Sequence, residues 1–132
     1  MRLDLRATSE EVMRAVEALR ESAQGRQIPE RTLFGLTVAL EECASNIVNH
    51  ALRRDARQRF RVSIEHTDAT VTIELRDPGP AFDPSQHSAA PPTDDDRPPG
   101  GWGLQLVRRY TDEIHYQRQG GENVLRLVKR LA

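Results

Sequence analysis

Arg59-Phe-Arg-Val-Ser-Ile-Glu-His-Thr-Asp-Ala-Thr-Val-Thr-Ile-Glu-Leu-Arg-Asp77-Pro-Gly79-Pro-Ala-Phe-Asp83 is the stretch that decides the architecture. Phe60, Val62 and Ile64 alternate with polar residues, and after Thr67 to Ala69 so do Val71, Ile73 and Leu75. A period of two on both sides of a short polar turn predicts a hairpin with one apolar face. That face needs a cover, and the sequence upstream supplies it. Ser9 reads as a helix N-cap with Glu10 and Glu11 in the first turn, followed by Val12, Val16, Leu19 and Ala23 at helical spacing, with Gly25 as the stop. A second helix opens after Ile28 with Pro29 in its first turn, and its apolar face is Leu33, Thr37, Leu40, Ala44, Ile47 and Ala51. Arg2 to Arg6 alternates as a short strand. Downstream, a short helix from about Leu104 to Thr111 turns Leu104, Val107 and Tyr110 inward. A second hairpin then joins Ile114 and Tyr116 to Val124–Leu131 through Gly120-Gly121. The order predicts a two-layer α/β sandwich, with a mixed or antiparallel sheet and the helices on one face.

Composition narrows the function. With 132 residues and a formal net charge of −1, the chain fits one domain and gives nucleic-acid binding no support. No apolar run approaches the roughly 18 residues of a membrane span, and Met1 to Ala7 does not read as a signal peptide. Cys43 is the only cysteine, so an internal disulfide or a cysteine zinc site is excluded. Lys129 is the only lysine, and the other basic residues are arginines, a bias that reads as codon usage. A lysine at that position serves neither a P-loop nor the strand lysine of an ordinary protein kinase.

Three segments carry residues fit for chemistry. In Glu41-Glu42-Cys43-Ala44-Ser45-Asn46-Ile47-Val48-Asn49-His50, about 100° per residue puts Glu42, Asn46 and Asn49 on one line, nearly opposite the apolar stripe. Such a face is either merely solvated or a site. Asn is a poor helix former, so two of them beside a Glu imply a compensating use. An amide oxygen ligates Mg²⁺, and a carboxylate accepts a proton. Asp77-Pro78-Gly79-Pro80-Ala81-Phe82-Asp83-Pro84 follows a strand directly, as a plain turn or as a place where a planar ligand approaches. Gly100-Gly101-Trp102-Gly103-Leu104 precedes a helix, whose free N–H groups favour phosphate. Between the last two lies a stretch rich in proline, with Asp94-Asp95-Asp96, that reads as either a lid or a disordered segment.

Taken together and in this order, the segments resemble the GHKL ATPases, and more narrowly the stand-alone bacterial serine kinases that act as anti-sigma factors in partner switching. Val38-Ala-Leu-Glu-Glu42-Cys-Ala-Ser-Asn46-Ile-Val-Asn-His50-Ala is similar to the N box. Asp77-Pro-Gly79-Pro-Ala-Phe-Asp83-Pro resembles the Asp-x-Gly box, and Gly101-Trp-Gly103-Leu-Gln-Leu-Val the Gly-x-Gly-Leu box. The resemblance covers nearly the whole chain as one domain, 1–132.

It implies that the chain binds Mg²⁺ and ATP. Glu42 would be the general base for a substrate hydroxyl, and Asn46 would hold Mg²⁺ against the phosphates. Asp77 would accept from the adenine amino group, with Gly79 giving the base room. Gly101 and Gly103 would offer backbone N–H groups to phosphate. Asn49, Ala81, Phe82, Trp102 and Leu104 would complete the nucleotide site, and Arg97, in a lid of about 84–100, would reach the γ-phosphate. Two departures stand out. Ala81 replaces the second glycine of the Asp-x-Gly-x-Gly pattern, and Asn123 stands near where many relatives have a Thr. The implied function is a cytoplasmic serine/threonine kinase that phosphorylates an anti-sigma factor antagonist of the STAS type and sequesters a sigma factor or another regulator. A homodimer, with Leu3, Leu5 and the first helix as its surface, is expected. The alternatives are a non-catalytic ATP-gated binding switch and a histidine-kinase-like ATPase domain. The latter is disfavoured, since no helix with a phospho-acceptor His precedes the domain.

Overall fold

The structure, a computed structural model, describes residues 1–83 and 103–131. The elements follow the expected order: β1 (Arg2–Arg6), α1 (Ser9–Ser22), α2 (Glu30–Asn46), a π-helical turn (Ile47–Ala51), β2 (Arg59–His66), β3 (Thr70–Asp77), α3 (Gly103–Tyr110), β4 (Glu113–Gln119) and β5 (Glu122–Arg130). All four strand pairings are antiparallel, in the order β1-β2-β3-β5-β4. This resolves the expectation of a mixed or antiparallel sheet to the antiparallel form. Gly120 and Gly121 both hold positive φ, 59° and 79°, the backbone a two-residue hairpin turn needs.

The strand faces obey the period of two. Phe60, Val62, Ile64, Val71, Ile73, Leu75 and Leu127 are all buried to within 1% and meet Leu19, Leu36, Leu40 and Val48 of the helices. Among the described residues no helix is long and apolar enough to cross a membrane.

Three local readings shift. The N-cap of α1 is Thr8, not Ser9, because the Thr8 Oγ1 accepts from the Glu11 N–H at 3.3 Å. Pro29 is the N-cap of α2 rather than part of its first turn. The third concerns the end of the second helix, which widens into the π turn, where the Leu52 N–H bonds to the Ile47 carbonyl at 2.8 Å. Arg53 and Arg54 then take φ of 52° and 58°, and the Arg54 N–H reaches back to the Val48 carbonyl at 2.7 Å. Left-handed backbone at two non-glycine residues costs on the order of 1 kcal/mol each. The chain accepts that cost to reverse sharply after Ala51.

Helices α2 and α3 pack closely at Gly35. A Cβ there would stand 2.5 Å from Tyr110 Cδ1 and 3.1 Å from Tyr110 Cβ. The ring of Tyr110 also meets Phe34 edge-on, with centroids 6.4 Å apart. Two effects oppose each other in Gly35→Ala. Helix propensity favours alanine by roughly 0.5–1 kcal/mol, while overpacking costs roughly 1–3 kcal/mol. Overpacking wins, so Gly35→Ala should lower stability in urea unfolding. In a Tyr110→Ala background, where only the Cβ contact at 3.1 Å remains, the same change should cost clearly less. A loss of equal size in both backgrounds would remove the ring contact as the cause.

Candidate nucleotide site

The last row of the sheet turns polar. Register pairs Asp77 on β3 with Asn123 on β5, and Asn123 with Arg118 on β4. The rows before it, Leu75–Leu125–Tyr116 and Ile73–Leu127–Ile114, lie on the same face of the sheet. Asp77 and Asn123 are therefore carried into the helix-covered layer and are only 4% and 5% exposed.

Burial of a carboxylate is costly unless it is bonded. Asp77 Oδ1 accepts from the Gly79 N–H at 2.9 Å and from Asn123 Nδ2 at 3.1 Å. No hydrogen bond from a described residue goes to its Oδ2. Asn123 is used on both ends of its amide. Its Nδ2 also donates to the Pro80 carbonyl at 2.8 Å. Its Oδ1 accepts from the Phe82 N–H at 3.2 Å, the Tyr116 hydroxyl and Arg118 Nη1 at 3.2 Å. Three donors surround the oxygen and only acceptors surround the nitrogen, which fixes the amide orientation. Arg118 Nη1 closes the set by donating to the Gly79 carbonyl at 2.7 Å. Residues 79–82 are thus pinned to β4 and β5, with the Phe82 ring 50% exposed beside them.

The helix end meets this loop. A Cβ on Gly79 would lie 2.8 Å from the Ala51 Cβ and 3.0 Å from the Ala51 carbonyl oxygen. Only glycine lets strand β3 end against the π turn. The close approach brings the Asn46–Ala51 segment to the Asp77 end of the sheet. Asn46 closes α2 half-buried, and its side chain makes no hydrogen bond with the described residues. Glu42, one turn earlier, is also half-buried and without an ion pair among the described residues. Burial raises its pKa first, and Glu41 adds to the rise. Neighbouring Cys43 is buried, its thiol pushed up to about 12, and behaves as a small apolar residue. Asn49, the third residue of the face with Glu42 and Asn46, is half-buried. It lies in the π turn rather than in the α-helix, and its Oδ1 accepts from Arg54 Nε at 2.9 Å.

The expected residues fall into three groups. Asp77, Gly79, Ala81 and Phe82 share one loop, and Glu42, Asn46 and Asn49 approach it along the second helix. Gly103 and Leu104 begin α3. Arg97, Gly101, Trp102 and the lid at about 84–100 lie outside the described residues. The reading of the sequence missed the hub role of Asn123, and with it Arg118 and Tyr116. A signal existed. Asn is depleted in strands, and this one occupies an inward position in line with Leu125 and Leu127.

A buried carboxylate with one bonded oxygen, a helix carrying Glu and Asn, and a glycine junction between them are the arrangement that the resemblance to the GHKL ATPases implies. The comparisons agree. Residues 5–129 match the histidine kinase-like ATPase domain model, and the chain belongs to that family. The serine/threonine-protein kinase BtrW of Bordetella bronchiseptica is 35% identical over 105 residues, which cover 77% of this chain and 73% of that protein. Two solved structures share the fold. The SiaB–SiaC complex from Pseudomonas aeruginosa has a TM-score of 0.72 at 14% identity, over 97% of this chain and 88% of that one. The RsbU and RsbW domains of a Mycobacterium tuberculosis protein give a TM-score of 0.70 at 19% identity over 99% of this chain. The chain spans only 32%, about a third, of that longer protein.

Desolvation raises the pKa of Asp77, against the lowering pull of Asn123, the Gly79 N–H and Arg118. A carboxyl whose folded pKa is raised binds its proton more tightly folded than unfolded. Its contribution to stability therefore falls as pH rises from the usual aspartate range through the raised value. Asp77→Asn removes that dependence. Urea unfolding across pH should show the variant gaining on the parent as pH rises, with the gain levelling off above the raised pKa. A difference that grows toward acid would contradict this.

Proposed function

We propose that this chain is a Mg-ATP-dependent serine/threonine protein kinase of a partner-switching system, acting in the cytoplasm on a STAS-type antagonist protein. The observation that carries the reading is Glu42 one helical turn before Asn46, half-buried and without an ion pair among the described residues, on the helix that ends against Gly79. A serine hydroxyl needs a base as it attacks phosphorus, whereas a histidine nucleophile does not. Similarity to BtrW, named a serine/threonine-protein kinase, supports the same assignment. The SiaB–SiaC complex, whose fold the chain shares, supports a protein partner.

The parts then have roles. Asn46 would hold Mg²⁺ in the manner usual for kinases, where few protein groups bind the ion and substrate phosphates supply the rest. The described residues contain no cluster of three or more His, Cys, Asp or Glu for a metal, and the unbonded amide of Asn46 fits the single-ligand mode. The ion would neutralise phosphate charge during transfer. Asp77 accepts from the adenine amino group, and Gly101 and Gly103 offer N–H groups to phosphate. Ala81, Phe82, Trp102 and Leu104 border the nucleotide, and Arg97 offsets the charge of the γ-phosphate. Glu42 takes the proton of the attacking hydroxyl. The chain also sequesters a sigma factor or comparable regulator when its antagonist is phosphorylated. The open edge of β1, with Met13 of α1 46% exposed, supports a homodimer through that edge and α1; Leu5, expected in the surface, is instead fully buried in the core and takes no part in it.

Incubation with labelled ATP, Mg²⁺ and the cognate antagonist should place label on Ser or Thr. Glu42→Gln should reduce the rate by about 10²–10⁴-fold with little change in ATP affinity. Undiminished transfer in that variant would remove Glu42 as the base. ATP-dependent partner binding without any phosphoprotein would favour the ATP-gated switch. The pH profile gives a second check. The base works when deprotonated, so the rate should fall on acidification through the raised Glu42 value. Glu41→Gln removes one cause of the rise and should move that acid limb to lower pH.

A further inference from the structure

We infer that Asn123 makes the site selective for adenine over guanine nucleotides, because it occupies one oxygen of Asp77 and leaves the carboxylate a single free acceptor. The inference rests on the reading of Asp77 as the base-binding residue, and adds a positioning residue to it.

Carboxylates recognise the two purines differently. Guanine offers two adjacent donors, the ring N1–H and the 2-amino group, and a carboxylate that reads it uses both oxygens. Adenine offers one donor, its 6-amino group, beside an acceptor nitrogen, and one oxygen suffices. In this protein Asp77 Oδ1 already accepts two hydrogen bonds, from the Gly79 N–H at 2.9 Å and Asn123 Nδ2 at 3.1 Å. That oxygen is saturated, and only Oδ2 remains.

Asn123 cannot easily release Oδ1. It is 5% exposed, its oxygen takes donors from Phe82, Tyr116 and Arg118, and its nitrogen also holds the Pro80 carbonyl. Rotating the amide would set oxygen against the Asp77 carboxylate and the Pro80 carbonyl, and nitrogen against three donors. Such a hub costs several hydrogen bonds to rearrange, and each lost partner leaves a buried polar group unpaired. A hydroxyl side chain at 123 has one hydrogen to donate, and so could hold Asp77 or the Pro80 carbonyl but not both. The amide is what lets a single residue fix the acid and the loop together. Arg118 acts on the same parts from the side, through the Gly79 carbonyl and Asn123 Oδ1.

Competition by unlabelled nucleotides against a fluorescent ATP analogue, with Mg²⁺ and the full chain, tests the idea on the unaltered protein. ATP should bind at least about tenfold more tightly than GTP or ITP. GTP and ITP should be equal within about threefold, because the 2-amino group that distinguishes them finds no acceptor. 2,6-Diaminopurine nucleotide, which keeps the 6-amino group, should compete like ATP. GTP binding about tenfold more tightly than ITP would overturn the inference, since that gain requires the second oxygen. Asn123→Ala takes one of the two donors off Oδ1, leaving only the Gly79 N–H there, and should create that preference for GTP over ITP. If it does not fold, the panel on the unaltered protein decides alone. Asp77→Asn separates the two levels of the argument. Unchanged ATP affinity in that variant would defeat the base-binding role of Asp77, and the inference with it. Loss of ATP binding, together with GTP favoured over ITP in the parent, would defeat the role of Asn123 alone.

Discussion

The approach of strand β3 to the end of the second helix is the constraint on which the site depends. Gly79 follows the strand and lies where any Cβ would press on Ala51 and on the Asp77 carboxylate, both at 2.8 Å. An added methyl would have backbone as well as side chain to displace, so relaxation is costly. The π turn and the left-handed pair Arg53 and Arg54 belong to the same constraint. Together they end the helix, bring Ala51 to the loop and send the chain back toward β2. Local backbone strain kept at such a junction is a common mark of a functional site.

Once the two elements meet, electrostatics decides what the site tolerates. Asp77 is buried and its charge is disfavoured there, yet it keeps two donors on one oxygen and a guanidinium nearby. The balance is held by Asn123, a neutral residue with both ends of its amide in use. Arg118 contributes from an exposed position, so its charge is screened and its bond to the Gly79 carbonyl counts for more than its field. A neutral hub with a peripheral cation keeps the acid deprotonatable without sealing it in an ion pair.

The near absence of lysine fits this design. The roles expected of the buried Asp77 carboxylate and the Asn46 amide call for no ammonium, so a chain whose only lysine is Lys129 is compatible with the histidine kinase-like ATPase domain family it belongs to. Lys129 itself approaches Asp112 at 3.6 Å, with Asp112 paired to the backbone N–H of Arg130 at the far end of β5 from Asn123.

Most of the fold was legible because burial on one face of a strand or helix imposes a period, and a period survives in the sequence. The two hairpins, the helices and the polar segments Glu42–Asn49 and Asp77–Phe82 were all readable this way. The π turn was not, since Ile47-Val-Asn-His-Ala continues an α-helical pattern, and the wider winding shows only in the folded chain, where the helix end meets Gly79. Asn123 was visible as a departure from a family pattern and as a polar residue in line with Leu125 and Leu127, but its partners were not. Its register with Asp77 and Arg118 depends on how three strands pair, and strand register is a property of the sheet and not of any one strand. The sequence by itself therefore determined which residue types and elements are present and the family they belong to. The tertiary structure alone decided which oxygen of Asp77 is taken and what holds the loop, because hydrogen bonds between residues 39 to 46 positions apart exist only after the sheet has closed.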